Sequence, residues 1–214
     1  MKKIFILIVL VSLCSSQSPE IRKYNQDVKT SFGKEKVDAI NNLVFYRGGK
    51  PEFHDENRKL ILESLSLADS LKYAEGRVDS WLGMSSLYSH KDSIKKYVEK
   101  ADLVSDAIGY KRGIAEVLRK YALLALKKKD YVISLEKAKK AESIYKTINS
   151  ETNFFFIGRQ AATLNQISNI YRSMGDVGTS LDYSLKAMEI LSDNKDHSNY
   201  RASKNMVIQN YAEL

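Results

Sequence analysis

Cysteine, proline and histidine are almost missing from this sequence: Cys14, Pro19 and Pro51, and His54, His90 and His197 are all that its 214 residues contain. Each scarcity closes a class. A lone cysteine makes no intramolecular disulfide, so stability has to come from packing. The three histidines stand far apart with no second cysteine near them, which leaves no metal-ligand spacing. No proline follows Pro51, so no ring geometry interrupts a helix over the rest of the chain. Ten glycines, spread thinly, form neither a low-complexity tract nor a phosphate-cradling loop, and no nucleophile elbow is present. Nothing in the residue types or their spacing points to catalysis or to a cofactor.

The N-terminus reads apart from the rest. Lys2 and Lys3 precede an uncharged apolar run from Ile4 to Leu13, and the small residues Ser15 and Ser16 follow. This is the layout of a secretory signal peptide over residues 1–16 and predicts export to the periplasm or cell surface. The run is half of the roughly 20 apolar residues that a spanning helix needs, so no stable transmembrane segment is expected after its removal. Cys14 at the end of the run also allows a lipid anchor, although Leu13 is bulky where the bacterial lipobox has a small residue. Cleavage after Ser16 fits better.

The formal charge is +8, of which Lys2 and Lys3 contribute two units. The lysines are scattered, as in Lys127 to Lys129 and in Lys137, Lys139 and Lys140, with no aromatic platform between them. A solvated basic face accounts for them, and nucleic acid is not an expected partner.

Internal periodicity is the main signal. Three segments align: Trp81, Met84, Ser85 and Tyr88; Leu118, Tyr121, Ala122 and Ala125; Leu164, Ile167, Ser168 and Tyr171. Each places two large residues, a small one and a closing residue on one helical stripe. The small residue leaves room for a second helix to approach. After the second and third stripes come the turns Lys129-Asp130-Tyr131 and Gly175-Asp176-Val177. Helices bearing Ser134, Leu135, Ala138 and Ala141, or Ser180, Leu181, Leu185 and Ala187, follow them, with Asp130 and Asp176 as N-caps. Gly76 and Gly113 stand at equal distances ahead of their stripes and are expected to open the turns between pairs.

These residues resemble the tetratricopeptide repeat (TPR) over roughly residues 77 to 192, most closely in Arg112 to Ile144 and Leu164 to Met188. The resemblance implies an all-α fold of antiparallel helix pairs stacked as a right-handed superhelix, and a protein-binding role. The longer spacing before the third stripe is absorbed by a helix starting near Glu151. Upstream, Val37, Ile40, Leu43 and Val44, then Leu60, Ile61, Ser64, Leu65, Ala68 and Leu71, predict a degenerate pair around the Gly48-Gly49-Lys50-Pro51 turn. Ile21, Tyr24, Val28 and Phe32 suit a capping helix. The expected organisation is therefore a signal peptide at 1–16, an N-terminal segment at 17–72, repeats at 73–196, and a capping helix or the start of a further repeat at 197–214.

First helices of such a superhelix line its concave side. The side chains one helical step from the core stripes are Arg119, Lys120, Leu123 and Lys127, then Asn165, Gln166, Asn169 and Arg172. Amides and guanidiniums at these positions can hold an extended peptide backbone and acidic groups. Leu123 stands where chaperone-binding members of the family need a polar group, so a terminal-carboxylate ligand of that kind is not implied. Three adjacent phenylalanines, Phe154 to Phe156, cannot all face one core, which makes Phe155 and Phe156 either packing residues or an apolar contact for a ligand. Carboxylates such as Asp69, Glu75 and Asp79 read as solvated helix faces. The expected function is an exported scaffold that binds a protein or peptide. The alternatives are the sensory part of a longer signalling or regulatory protein and a glycan-uptake lipoprotein component.

Overall fold

The computed structural model describes residues 19–148, 154–193, 195 and 197–214. The segment read as a signal peptide, with Cys14, lies outside them, as does Glu151. Among the described residues are ten α-helices and no strand. They are α1 Pro19–Thr30, α2 Gly33–Arg47, α3 His54–Ser70, α4 Ala74–Ser86, α5 Lys91–Ala107, α6 Lys111–Lys127, α7 Tyr131–Thr147, α8 Phe154–Ser173, α9 Val177–Glu189 and α10 Ser198–Glu213. A 3₁₀ turn, Pro51–Phe53, leads into α3. Each helix packs on the next, and α2 also meets α4, α4 meets α6, and α8 meets α10. The result is an α-α solenoid.

The apolar stripes face inward as their period requires. Val37, Ile40, Leu43 and Val44 are buried on α2, and Ile61 and Ala68 on α3. Phe45, Val78, Leu82, Val98 and Val117 join α2, α4, α5 and α6 in one cluster, and Ala122, Ala138, Ile167 and Ile170 join α6, α7 and α8 in another. The small residues stand where helices touch: Ser85, Ala122 and Ser168 are buried. The Ser134 hydroxyl donates to the Ala122 carbonyl at 2.8 Å, and the Ser168 hydroxyl to that of Ser180 at 2.8 Å. Three stripe residues depart from expectation: Leu185 is exposed and Ser184 is buried instead, Leu71 is exposed just past the end of α3, and Phe32 precedes α2 in extended backbone with its ring in solvent.

One turn recurs four times. Lys72, Gly109, Lys129 and Gly175 have φ of 52°, 65°, 61° and 86°. In each case the next amide, of Tyr73, Tyr110, Asp130 or Asp176, donates back to the carbonyl of Ala68, Ser105, Ala125 or Tyr171 at 2.8 to 3.0 Å. This left-handed cap satisfies helix-end carbonyls and reverses the chain in three residues. Asp130 and Asp176 then accept from the amides of Ile133 and Thr179 at 3.2 and 3.0 Å and start α7 and α9.

Gly76 and Gly113 do not open turns. Both lie in the first turn of a helix, where a Cβ would come within 2.5 Å of Val37 for Gly76 and 2.8 Å of Val78 for Gly113. Close helix approach selects glycine at these two positions, and the turns are made elsewhere. Asp69 and Glu75 are solvated as expected, but Asp79 is buried.

Candidate ligand-binding groove

The first helices carry a row of acids, the first part-buried and the other two fully buried. Asp38, Asp79 and Glu116 lie on α2, α4 and α6, and each accepts from the phenol of a tyrosine that starts or ends a neighbouring element. Tyr73 donates to Asp38 at 2.9 Å and Tyr110 to Asp79 at 2.9 Å, and Tyr145 donates to Glu116. Burial raises the Asp79 carboxyl to about 6 even though the Arg112 guanidinium, 3.2 Å away, and the Tyr110 phenol act against it. Glu116 goes the other way. Burial alone would raise it, but Arg159, Arg119 and the Tyr145 phenol hold it far below the ordinary carboxylate range. The sequence held a sign of this row in Tyr73-x-x-Gly76-x-x-Asp79 and Tyr110-x-x-Gly113-x-x-Glu116, which share their spacing, their tyrosine and glycine, and an acid at the last position.

Glu116 gathers the floor of the concave side. Arg119 bonds it from the same helix at 3.0 Å, and Arg159 reaches it from α8 with Nε at 2.6 Å. Gln166 on α8 donates to the Arg119 carbonyl at 2.9 Å, and Lys120 donates to the Ser86 hydroxyl at 2.7 Å. Burial pushes the Lys120 ammonium down to about 7, with the Glu116 charge opposing.

Six of the seven polar side chains expected on the concave strip line one groove of about 470 Å³: Arg119, Lys120, Asn165, Gln166, Asn169 and Arg172. Lys127 does not join them and lies exposed at the end of α6. Helix α10 crosses the far side of the groove. There Arg172 pairs with Glu213 and Gln209, and Asn165 donates to the Asn199 carbonyl at 3.3 Å. Asn169 stays exposed, and Leu123 supplies an apolar wall. Phe156 is half-buried, while the side chain of Phe155 lies outside the described residues.

A second cavity of about 680 Å³ adjoins the groove and shares Phe45, Gly48, Arg119, Arg159 and Ala162 with it. It lies where the end of α2 meets the start of α10. The Tyr46 and His197 rings stand 5.8 Å apart at 81°, and His197 packs so tightly on α8 that a Cβ at Gly158 would lie 2.6 Å from its Nε2. Sequence reasoning missed this meeting because it joins helices that are remote along the chain.

No protein-family model matches the chain, and no curated protein matches it either. Solved structures do. BtubC (BKLC) from P. vanneervenii aligns with a TM-score of 0.55 and 14% identity over 90% of this chain and 86% of that one. The nearly identical TPR-like repeats of a candidate kinesin light chain from Podosopora anserina align with a TM-score of 0.52 and 13% identity, over 83% and 86%. This chain has the TPR-type solenoid fold. In a TPR-type solenoid the first helices face the hollow of the superhelix, as α6 and α8 do here. This solenoid also brings α2 and α10 to the mouth of that hollow. Among the described residues no three His, Cys, Asp or Glu side chains gather as metal ligands.

Proposed function

We propose that this chain is an exported scaffold that binds an extended segment of a polypeptide partner along the groove between α6, α8 and α10. The observation that supports the reading is the lining of that groove. Lys120, Gln166 and Asn169 offer donors and acceptors spaced along two neighbouring helices, and Leu123 and Met206 add apolar contact. A peptide backbone needs both kinds of partner and gains little from charge alone. Arg119 and Arg172 are held by Glu116 and Glu213, so they shape the groove and its positive potential.

Replacing Lys120 and Asn169 together with alanine tests the reading once a partner has been captured on the full mature chain. Titration should show at least a several-fold loss of affinity with unchanged helix content; Asn169 is exposed and its replacement moves stability by less than about 0.5 kcal/mol, whereas Lys120 is partly buried, so the melting temperature of the double variant is measured alongside. The control pair is Lys137→Ala with Lys140→Ala on α7. Loss of binding in the control and not in the groove pair would move the interface to the second helices. Export rests on the Lys2-Lys3 start and the Ile4 to Leu13 run. N-terminal sequencing of the native protein should find Gln17 first; a cytoplasmic chain retaining Met1 would remove the export claim, and an acylated Cys14 would replace it with a lipoprotein.

A further inference from the structure

The 680 Å³ cavity has a chemical character of its own. Arg47, Lys50, Arg119 and Arg159 line it, and no acidic side chain does. The carboxylates that compensate them stand behind the wall: Glu56 takes Arg47 at 3.0 Å, and Glu116 takes both Arg119 and Arg159. Two carboxylates thus answer four cations. The Nε atoms of Arg47 and Arg119 are buried and have no hydrogen-bond partner among the described residues. Those two atoms are closed off from the cavity, so what the cavity offers an anion is the excess of guanidinium and ammonium charge along its lining.

The other wall is aromatic. Tyr24 and Tyr46 stand 5.3 Å apart at 47°, and the Arg159 guanidinium lies 5.1 Å from the centre of the Phe45 ring. The cavity's volume falls within the range usual for small-molecule sites, which combine apolar walls with a few convergent polar groups. We propose that this cavity binds a planar aromatic carboxylate, the ring against Phe45 and Tyr46 and the carboxylate toward Arg119 and Arg159. The ligand is either a free aromatic acid or the C-terminal aromatic residue of a peptide. This inference needs no partner in the neighbouring groove.

Calorimetric titration of the full mature chain tests it with 3-phenylpropionate, 3-phenylpropanamide and propionate, and with Gly-Gly-Phe as free acid and as amide. An aromatic free acid should bind at least about 10-fold more tightly than its amide, the fold-change of one charge-assisted hydrogen bond. Propionate should bind weakest. Binding of 3-phenylpropionate alone identifies a free acid as the ligand type, and tighter binding of free-acid Gly-Gly-Phe identifies a peptide end. Lys50→Glu should weaken the acid several-fold, and Ala162→Phe, which fills the cavity, should abolish binding; neither breaks a Glu116 contact. Lys120→Ala with Asn169→Ala, which lie only in the smaller groove, should leave 3-phenylpropionate affinity unchanged and so separate this site from the polypeptide reading. Equal affinity for acid and amide, no binding of either acid, or full binding by the Lys50→Glu chain would overturn the proposal.

Discussion

Glu116 on α6 and Arg159 on α8 are bonded to each other beneath the concave surface, with Arg159 Nε 2.6 Å from the carboxylate and the Tyr145 phenol donating to the same group. The pair bridges 43 residues of sequence. It fastens two successive first helices across the longer spacing between the second and third stripes.

Glu116→Gln should be among the most damaging single substitutions in the chain. It leaves two guanidiniums, Arg119 and Arg159, against a neutral amide in a site with little water, and breaking a buried pair from one side costs about 3–5 kcal/mol. Arg159→Gln should cost less, because Arg119 and Tyr145 remain on Glu116. The double variant should cost less than the sum of the two. Chemical denaturation of the three variants measures this, and strict additivity would mean that the two side chains act independently.

The repeated left-handed cap predicts an asymmetry between its members. Lys129 adopts the conformation that Gly175 adopts, with φ of 61° against 86°, yet a Cβ there costs about 1–2 kcal/mol. Lys129→Gly relieves that cost and gives back part of it as unfolded-chain entropy, for a net gain of about 0.5–1 kcal/mol. Gly175→Ala should lose about 1 kcal/mol by the same argument. Thermal unfolding should move by a few degrees in opposite directions.

Much of the fold was legible before the structure because its cause is local. The stripes of Trp81, Leu118 and Leu164 carry a period that only paired helices satisfy, and the Asp130 and Asp176 caps follow from their place before those helices. Six polar residues of the groove could be named because a helix face is a matter of counting. The rest depended on distance. Tyr110, which bonds Asp79, follows it by 31 positions, and only the repeated Tyr-x-x-Gly-x-x-acid spacing hints at their meeting; the large cavity exists because Tyr46 meets His197 across 151 positions. Gly76 and Gly113 looked like turn glycines because their spacing was regular, but the regularity reports a repeated close contact with the preceding first helix.

The contact between α6 and α7 can be tested by volume. Ala122 is fully buried and its carbonyl accepts from Ser134 on the facing helix. Ala122→Leu should overpack that contact at a cost of about 1–3 kcal/mol, whereas Leu123→Ala, one position on and facing the groove, should cost less. Matching denaturation midpoints for Ala122→Leu and the parent chain would remove the support for this repeat register.

Asp79 predicts the pH dependence. Its folded-state value of about 6 lies above the ordinary 3.8, and burial is the main cause. A group raised on folding stabilises the folded state fully below its unfolded value, and that contribution is lost as pH rises through the folded one. Between about pH 4 and pH 6, Asp79 therefore makes the fold less stable, by on the order of 1–3 kcal/mol at roughly 1.4 kcal/mol per unit. Glu116 is lowered on folding, so its contribution is present above 4.5 and disappears as pH falls. The two slopes oppose each other in the parent chain. Asp79→Asn removes only the first, since an amide mimics the protonated acid at every pH. Stability of the Asp79→Asn chain relative to the parent should rise from pH 4 to pH 7 and then level off, measured by denaturant titration at each pH. A flat difference across that window would mean that Arg112 keeps Asp79 ionised in the folded chain at its ordinary value.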